Sequence, residues 1–226
     1  MLTPIIVLKR RQNISLKLIL VAPNPLLWEA FREHFNHLPN VEVVNDYFEW
    51  LPEFDCMVSP ANSFGLMDGG IDAAIIRFFG QSLMDRVQQR ILEEYLGEQP
   101  VGTSFIVETG HSKHPFLAHT PTMRVPMIVA GTDIPYVAMW AMLLAVRRHN
   151  QQAKHKIHTI ACPGLGTGIG RVPYPEAARM MALAYDHFLY PPKLLNCFVA
   201  GERQLQIWEE GNLGVTERRH PPQTVL

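Results

Sequence analysis

The chain has 226 residues, 47% of them apolar and 18% charged, which is enough for one full hydrophobic core. Its 20 basic and 21 acidic side chains leave a formal net charge of -1, so no general electrostatic pull toward nucleic acid or an anionic membrane exists, and an anionic ligand has to be attracted locally. No apolar run approaches the length of a membrane span, and Cys56, Cys162 and Cys197 form no CxxC pair, so they read as small buried residues in a reducing compartment rather than a disulfide framework or a zinc site.

The N-terminal MLTPIIVLKRRQN carries charge just after its apolar stretch, the reverse of a secretory signal, and the expected location is cytoplasmic. Leu18 to Ala22 predicts a buried strand stopped by Pro23 and Pro25. Leu26, Leu27, Ala30, Phe31, Phe35 and Leu38 then recur at helical spacing up to Pro39. Strands are predicted at Val41 to Val44 and at Phe54 to Ser59. From Ile71 the apolar positions Ile75, Phe78, Phe79, Leu83, Val87, Ile91 and Tyr95 keep a 3.6-residue period, which predicts one long amphipathic helix ending before Gly97.

Ser104 to Val107 and Pro126 to Ala130 are further strand candidates, with HSKHPFLAHTPT between them as a polar loop. Val137 to Val146 predicts a helix and Ile157 to Ala161 a strand. Pro175 suits the first turn of a helix through EAARMMALAYDHF, because its missing amide costs nothing there. Asn196 to Ala200 is the last strand candidate. The tail GNLGVTERRHPPQTVL has little that can bury itself and reads as a mobile or docking segment.

Strands separated by helices indicate a three-layer α/β domain with helices on both faces of the sheet. Direct strand-to-strand joints near residues 41 to 59 leave room for a mixed sheet. One domain is expected over residues 1–200, with residues 201–226 as a C-terminal extension.

Two segments are built for backbone rather than side-chain chemistry. SPANSFGLMDGGIDAA, from Ser59 to Ala74, and CPGLGTGIG, from Cys162 to Gly170, each follow an apolar run and precede a helix. That setting predicts two phosphate-holding turns at the ends of neighbouring strands. In the first, Asn62 can donate and accept a hydrogen bond, which suits a ribose diol or a carbonyl. It can equally close an Asx turn. Gly69 and Gly70 expose amides at the helix entrance. Asp72, in the first helical turn beside Asp68, is either an electrostatic cap or a group that orients water or a ribose hydroxyl.

In the second segment Gly164, Gly166, Gly168 and Gly170 alternate, Thr167 adds a hydroxyl, and Ile169 can cover apolar parts of a ligand. No GK[ST] follows, so this is not a Walker A loop, and no acidic residue closes a second strand about 20 positions on, as a dinucleotide fingerprint requires. Arg171 can neutralise a phosphate or form a surface ion pair. Cys162 has no identifiable base and reads as a buried thiol. His111, His114 and His119 are too loosely spaced, without an acidic partner, for an evident metal shell, and read as loop residues.

The pieces VSPANSFGLMDGGIDAAI and CPGLGTGIGRVPYPEAA resemble, in order, separation and setting, the two substrate loops of the macrodomain family, over roughly Val41 to Phe188. The resemblance implies a three-layer α/β/α sandwich with a mixed central sheet, and ADP-ribose or an ADP-ribosylated macromolecule as the partner. It places Asn62 at the distal ribose, Gly69, Gly70 and Ile71 at the first phosphate turn, and Gly166, Thr167, Gly168, Ile169 and Gly170 over the diphosphate. Asp46 looks like the acceptor for the adenine amino group. Asp72 is similar in position to an aspartate implicated in hydrolysis.

The chain departs from the family pattern in three places. Ser59 replaces the first asparagine of the NAAN form, Met67 and Asp68 precede only two glycines, and Arg171 and Val172 stand where an aromatic often follows the second loop. The expected function is binding of ADP-ribose or an ADP-ribosylated molecule; the sequence leaves open whether Asp72 and Asn62 then hydrolyse the ADP-ribosyl linkage, a step needing neither metal nor cofactor. The alternatives are a non-catalytic ADP-ribose reader and a protein-interaction domain with degenerate loops, using Trp208 and ERRHPP as its contact.

Overall fold

The computed structural model describes residues 16–208. The expectations for MLTPIIVLKRRQN and for the tail from Gly211 lie outside those residues. The order of elements is β1 Lys17–Val21, α1 Pro25–Phe35, β2 Val41–Val44, a single 3-10 turn Phe48–Trp50, β3 Cys56–Ser59, α2 Gly70–Phe79, α3 Gln81–Tyr95, β4 Phe105–Glu108, β5 Phe116–His119, α4 Ile134–Gln152, β6 Thr159–Cys162, α5 Tyr174–Leu189 and α6 Cys197–Trp208.

The strands form one six-stranded sheet in the order β2-β1-β6-β3-β5-β4. All neighbours run parallel except β4 and β5, which pair antiparallel with Phe105 opposite His119. Covered on both faces, the inner strands need apolar residues on both sides, which is why LILV in β1 and CMVS in β3 read as continuous runs. One face packs on α1, α4 and α5 through residues such as Phe31, Phe35, Met139, Met142, Met181 and Tyr185. The other packs on α2 and α3 through Ile75, Leu83, Val87 and Ile91. The result is the expected α/β/α sandwich with a mixed sheet.

The mixing arises elsewhere than the sequence suggested. β2 lies at one edge and β3 is not its neighbour; the chain between them crosses the α2/α3 face with Phe48 and Phe54 as buried footholds. The antiparallel strand is β4, turned back by the short link to β5. β5 itself falls inside the stretch expected to be a loop. Its histidine hid the pattern, because His119 is fully buried with its ring Nδ1 2.6 Å from Gln99 Oε1.

The long helix expected from Ile71 is two helices. Gly80 breaks it with φ 93 and ψ 158, a conformation open to glycine, and its N–H closes α2 on the Ile76 carbonyl. Pro126 to Ala130 is not a strand; Val129 N–H instead donates to the Gly170 carbonyl. Asn196 to Ala200 begins a helix because the Asn196 side chain accepts the Val199 N–H at 2.9 Å, and Val199 and Ile207 then bury at helical spacing. Trp208, offered above as part of a partner contact, packs partly buried against the larger core. Cys56 and Cys162 are buried with their thiols pushed up by desolvation, as expected of inert cysteines, whereas Cys197 is exposed.

Candidate functional site

β1 and β3 flank β6, and the chain leaves β1 toward β2 on one side and β3 toward β5 on the other. A crevice opens at the carboxyl ends of such strands. Here it is a cavity of about 470 Å³ whose walls come from the turns after β1, β3 and β6, the 3-10 turn after β2 and the segment after β5.

The turn after β3 is shaped by Asn62. Its Oδ1 accepts the N–H groups of Phe64 and Leu66 at 3.1 and 3.3 Å, and its Nδ2 donates to the Leu66 carbonyl at 2.9 Å. One Nδ2 proton is left after these bonds. The turn is stitched to the segment after β5 by Thr122 N–H to the Ala61 carbonyl and Ser63 N–H to the Met123 carbonyl. It ends at Gly69, the N-cap of α2, and Gly70, which has φ +54. No side chain caps α2, so its first-turn N–H groups remain for a ligand or solvent. A Cβ on Gly69 or Gly70 would meet no atom within 4 Å.

Asp72 stands in the first turn of α2 but makes no capping hydrogen bond to it. It is 8% exposed and lines the cavity, and its Oδ1 accepts the Ser59 hydroxyl at 2.6 Å. Burial pushes its carboxyl up to about 7, opposed by that hydrogen bond and assisted by the negative charge of Asp68.

The turn after β6 folds on itself. Val172 N–H donates to the Gly166 carbonyl and Arg171 N–H to the Gly168 carbonyl, both at 3.0 Å, and the Thr167 hydroxyl donates to the Gly164 carbonyl at 3.3 Å. Gly170 is required by close approach, since a Cβ there would stand 2.5 Å from the Gly166 carbonyl oxygen and 2.8 Å from Val129 Cγ2. Met123, Val129, Val172 and Ala177 form a small apolar cluster beneath this turn. At Gly168 the added Cβ would meet nothing. Ile169 is 54% exposed at the cavity wall, placed to cover an occupant.

Of the residues singled out in the sequence, Asn62, Gly69, Gly70, Ile71 and Asp72 from the first loop and Gly166, Thr167, Gly168, Ile169 and Gly170 from the second all line this one cavity. Asp46 does not. It is exposed, its Oδ1 accepts the Tyr47 N–H at 2.8 Å, and the wall is built instead by the next residues, Tyr47, Phe48 and Glu49. Arg171 also lies outside the wall. His111 and His114 stack with each other and near Phe78 and Phe79, away from the cavity. Among the described residues no cluster of three or more His, Cys, Asp or Glu stands where a metal could be held.

Sequence reasoning missed several wall residues. Asn24 follows β1 and caps α1 by accepting the Leu26 and Leu27 N–H groups, while its Nδ2 reaches the Tyr174 hydroxyl at 3.3 Å. Tyr174 supplies an aromatic three residues past the position where Arg171 stands. Arg77, an exposed side chain of α2, brings a cation to the wall. The signal for Asn24 was present, because it sits at a strand's carboxyl end just before a helix. Arg77 has no such signal.

The fold and site define an α/β/α sandwich that presents two bare backbone turns around one crevice. The Macro domain model matches residues 58–181, from β3 into α5. The chain belongs to the macrodomain family. It is 31% identical over 159 residues to an uncharacterized protein of Aquifex aeolicus, covering 69% of this chain and 88% of that one. It is also 31% identical over 140 residues to a Klebsiella pneumoniae protein named O-acetyl-ADP-ribose deacetylase, covering 61% of this chain and 74% of that one. A mutant Oceanobacillus iheyensis macrodomain solved with ADPR shares the fold with a TM-score of 0.57 at 20% identity, over 90% of this chain and 96% of its own.

Proposed function

We propose that this protein binds ADP-ribose, free or carried by an ADP-ribosylated macromolecule, and hydrolyses the linkage at the distal ribose. The observation that carries the proposal is the convergence of two glycine turns on one cavity of about 470 Å³, with Gly69, Gly70 and Gly168 leaving their Cβ directions open. A bent diphosphate fits between them, held by the uncapped N-terminus of α2 on one side and the amides around Thr167 to Gly170 on the other. The deacetylase name of the Klebsiella relative and the ADPR in the Oceanobacillus structure support the same ligand class.

In the hydrolytic step Asp72, ionised, orients a water at the anomeric carbon and takes its proton as the new carbon–oxygen bond forms. The bond to the carrier breaks, the carrier leaves with the electron pair, and it gains one proton, so that one water is consumed overall. The fixed amides stabilise the charged diphosphate in a bent geometry without reorganisation. The remaining Nδ2 proton of Asn62 serves the distal ribose. Asp46, one residue beyond the wall, would reach the adenine amino group only at the cavity's edge.

A binding-only pocket is the second reading, and one observation favours it: the amide of Asn62 is largely spent on its own loop. Incubation with a mono-ADP-ribosylated protein separates the two. Release of ADP-ribose supports hydrolysis, and retention with measurable ADP-ribose affinity supports the reader. No calorimetric heat at millimolar ADP-ribose would overturn both and leave a protein-interaction domain.

A further inference from the structure

We infer that Ser59 is a positioning residue for the pocket carboxyl, its hydroxyl setting both the orientation and the charge state of Asp72. This rests on the pocket described above. Ser59 is fully buried at the carboxyl end of β3, its backbone pinned by the Thr120 N–H donating to its carbonyl at 2.9 Å and by register with His119 of β5. Its side chain therefore has little freedom, and its single hydroxyl proton goes to Asp72 Oδ1 at 2.6 Å. With Oδ1 tied back into the sheet, Oδ2 is the oxygen left for a ligand or water in the cavity that Asp72 lines.

The same bond biases ionisation. A hydroxyl that donates to a carboxylate stabilises the charged form, and such a bond to a charged group is among the stronger ones in proteins. It opposes the two influences that favour protonation, burial and the neighbouring Asp68. Arg77 of α2 and Glu49 of the 3-10 turn line the same cavity, but neither hydrogen-bonds to Asp72. His119, beside Ser59 across the β3–β5 pair, is kept neutral by burial, its ring brought down to about 3, so it adds no charge. Among the described residues, Ser59 is then the one polar side chain hydrogen-bonded to this carboxyl, and its bond favours the base form.

The test reads the carboxyl directly and needs no turnover. In protein labelled with 13C at aspartate carboxyls, the Asp72 resonance, assigned by its absence in Asp72→Asn, is followed against pH in the wild type, Ser59→Ala and Ser59→Thr. The wild type is expected to titrate near 7, Ser59→Ala about 1 to 2 pH units higher, and Ser59→Thr close to the wild type. Affinity for ADP-ribose at pH 6 should stay within about threefold across the series, because the diphosphate is held by backbone. An unchanged titration in Ser59→Ala overturns the assignment. Should Ser59→Ala fail to fold, Ser59→Cys, a weaker donor, must show an upward shift for the assignment to stand. If the wild type binds ADP-ribose but releases none from a modified protein while the titration moves as described, hydrolysis falls and the role of Ser59 remains.

Discussion

Replacing Gly168 with glutamate puts a carboxylate into the cavity without asking the backbone to move. Gly168 has no left-handed φ, and a Cβ at this position meets no atom within 4 Å, so the cost in folding stability should stay under about 1 kcal/mol. The side chain instead enters the space where the diphosphate is proposed to lie. A carboxylate about 5 Å from a phosphate charge, at an effective dielectric of about 20, is opposed by roughly 3 kcal/mol for each charge pair. That predicts a loss of affinity for ADP-ribose of a hundredfold or more, on top of steric exclusion. Gly168→Gln, of similar size and no charge, should lose less, and the gap between the two should narrow in high salt. Calorimetry with ADP-ribose measures the affinities, and urea unfolding checks that both variants are folded. Wild-type affinity in a folded Gly168→Glu variant would refute the placement of the second loop around the diphosphate.

Gly170→Ala should behave in the opposite way, because its methyl would stand 2.5 Å from the Gly166 carbonyl oxygen; a loss of about 1 to 3 kcal/mol in urea unfolding is expected, and a stability equal to that of Gly168→Ala would contradict the close approach. Asp72→Asn tests the buried carboxyl through stability. With its folded value raised to about 7, the native state holds the proton more tightly than the unfolded chain, so wild-type stability falls as pH rises from about 4 to 7. The asparagine variant lacks that fall and should be more stable by on the order of 2 to 4 kcal/mol at pH 8, with the advantage gone at pH 4; a difference independent of pH would rule out the raised value. Asn24→Ala removes the cap of α1 and the partner of the Tyr174 hydroxyl, and should cost about 1 kcal/mol in thermal or urea unfolding; no loss would mean that solvent caps the helix equally well.

How much of this was legible in the sequence depended on whether the signal was local. The glycines of both turns, Pro175 in the first turn of α5 and the apolar run of β1 speak through dihedral preference and burial, which act over a few residues. Signals failed where distant contacts override the local pattern. A 3.6-residue period carried straight through Gly80 because the apolar face continues on both helices while the backbone breaks between them. β5 was hidden by His119, whose polarity is absorbed by Gln99, 20 residues earlier in the chain. Asn196 to Ala200 reads locally as a strand although the Asn196 side chain caps a helix, since Val199 and Ile207 show their helical spacing only once other segments bury them.

The same division holds at the site. That two turns would present bare backbone amides was set by glycine, which leaves amides unshielded and permits the left-handed φ of Gly70 and Gly166. That the turns share one cavity was decided by the sheet order, which places β6 between β1 and β3 and so brings together loops about a hundred residues apart. Asp72 shows the limit most sharply. Its position in a first helical turn is a fact of sequence, but its burial at the cavity wall and its bond to the Ser59 hydroxyl at the end of β3 exist only once the layers have packed.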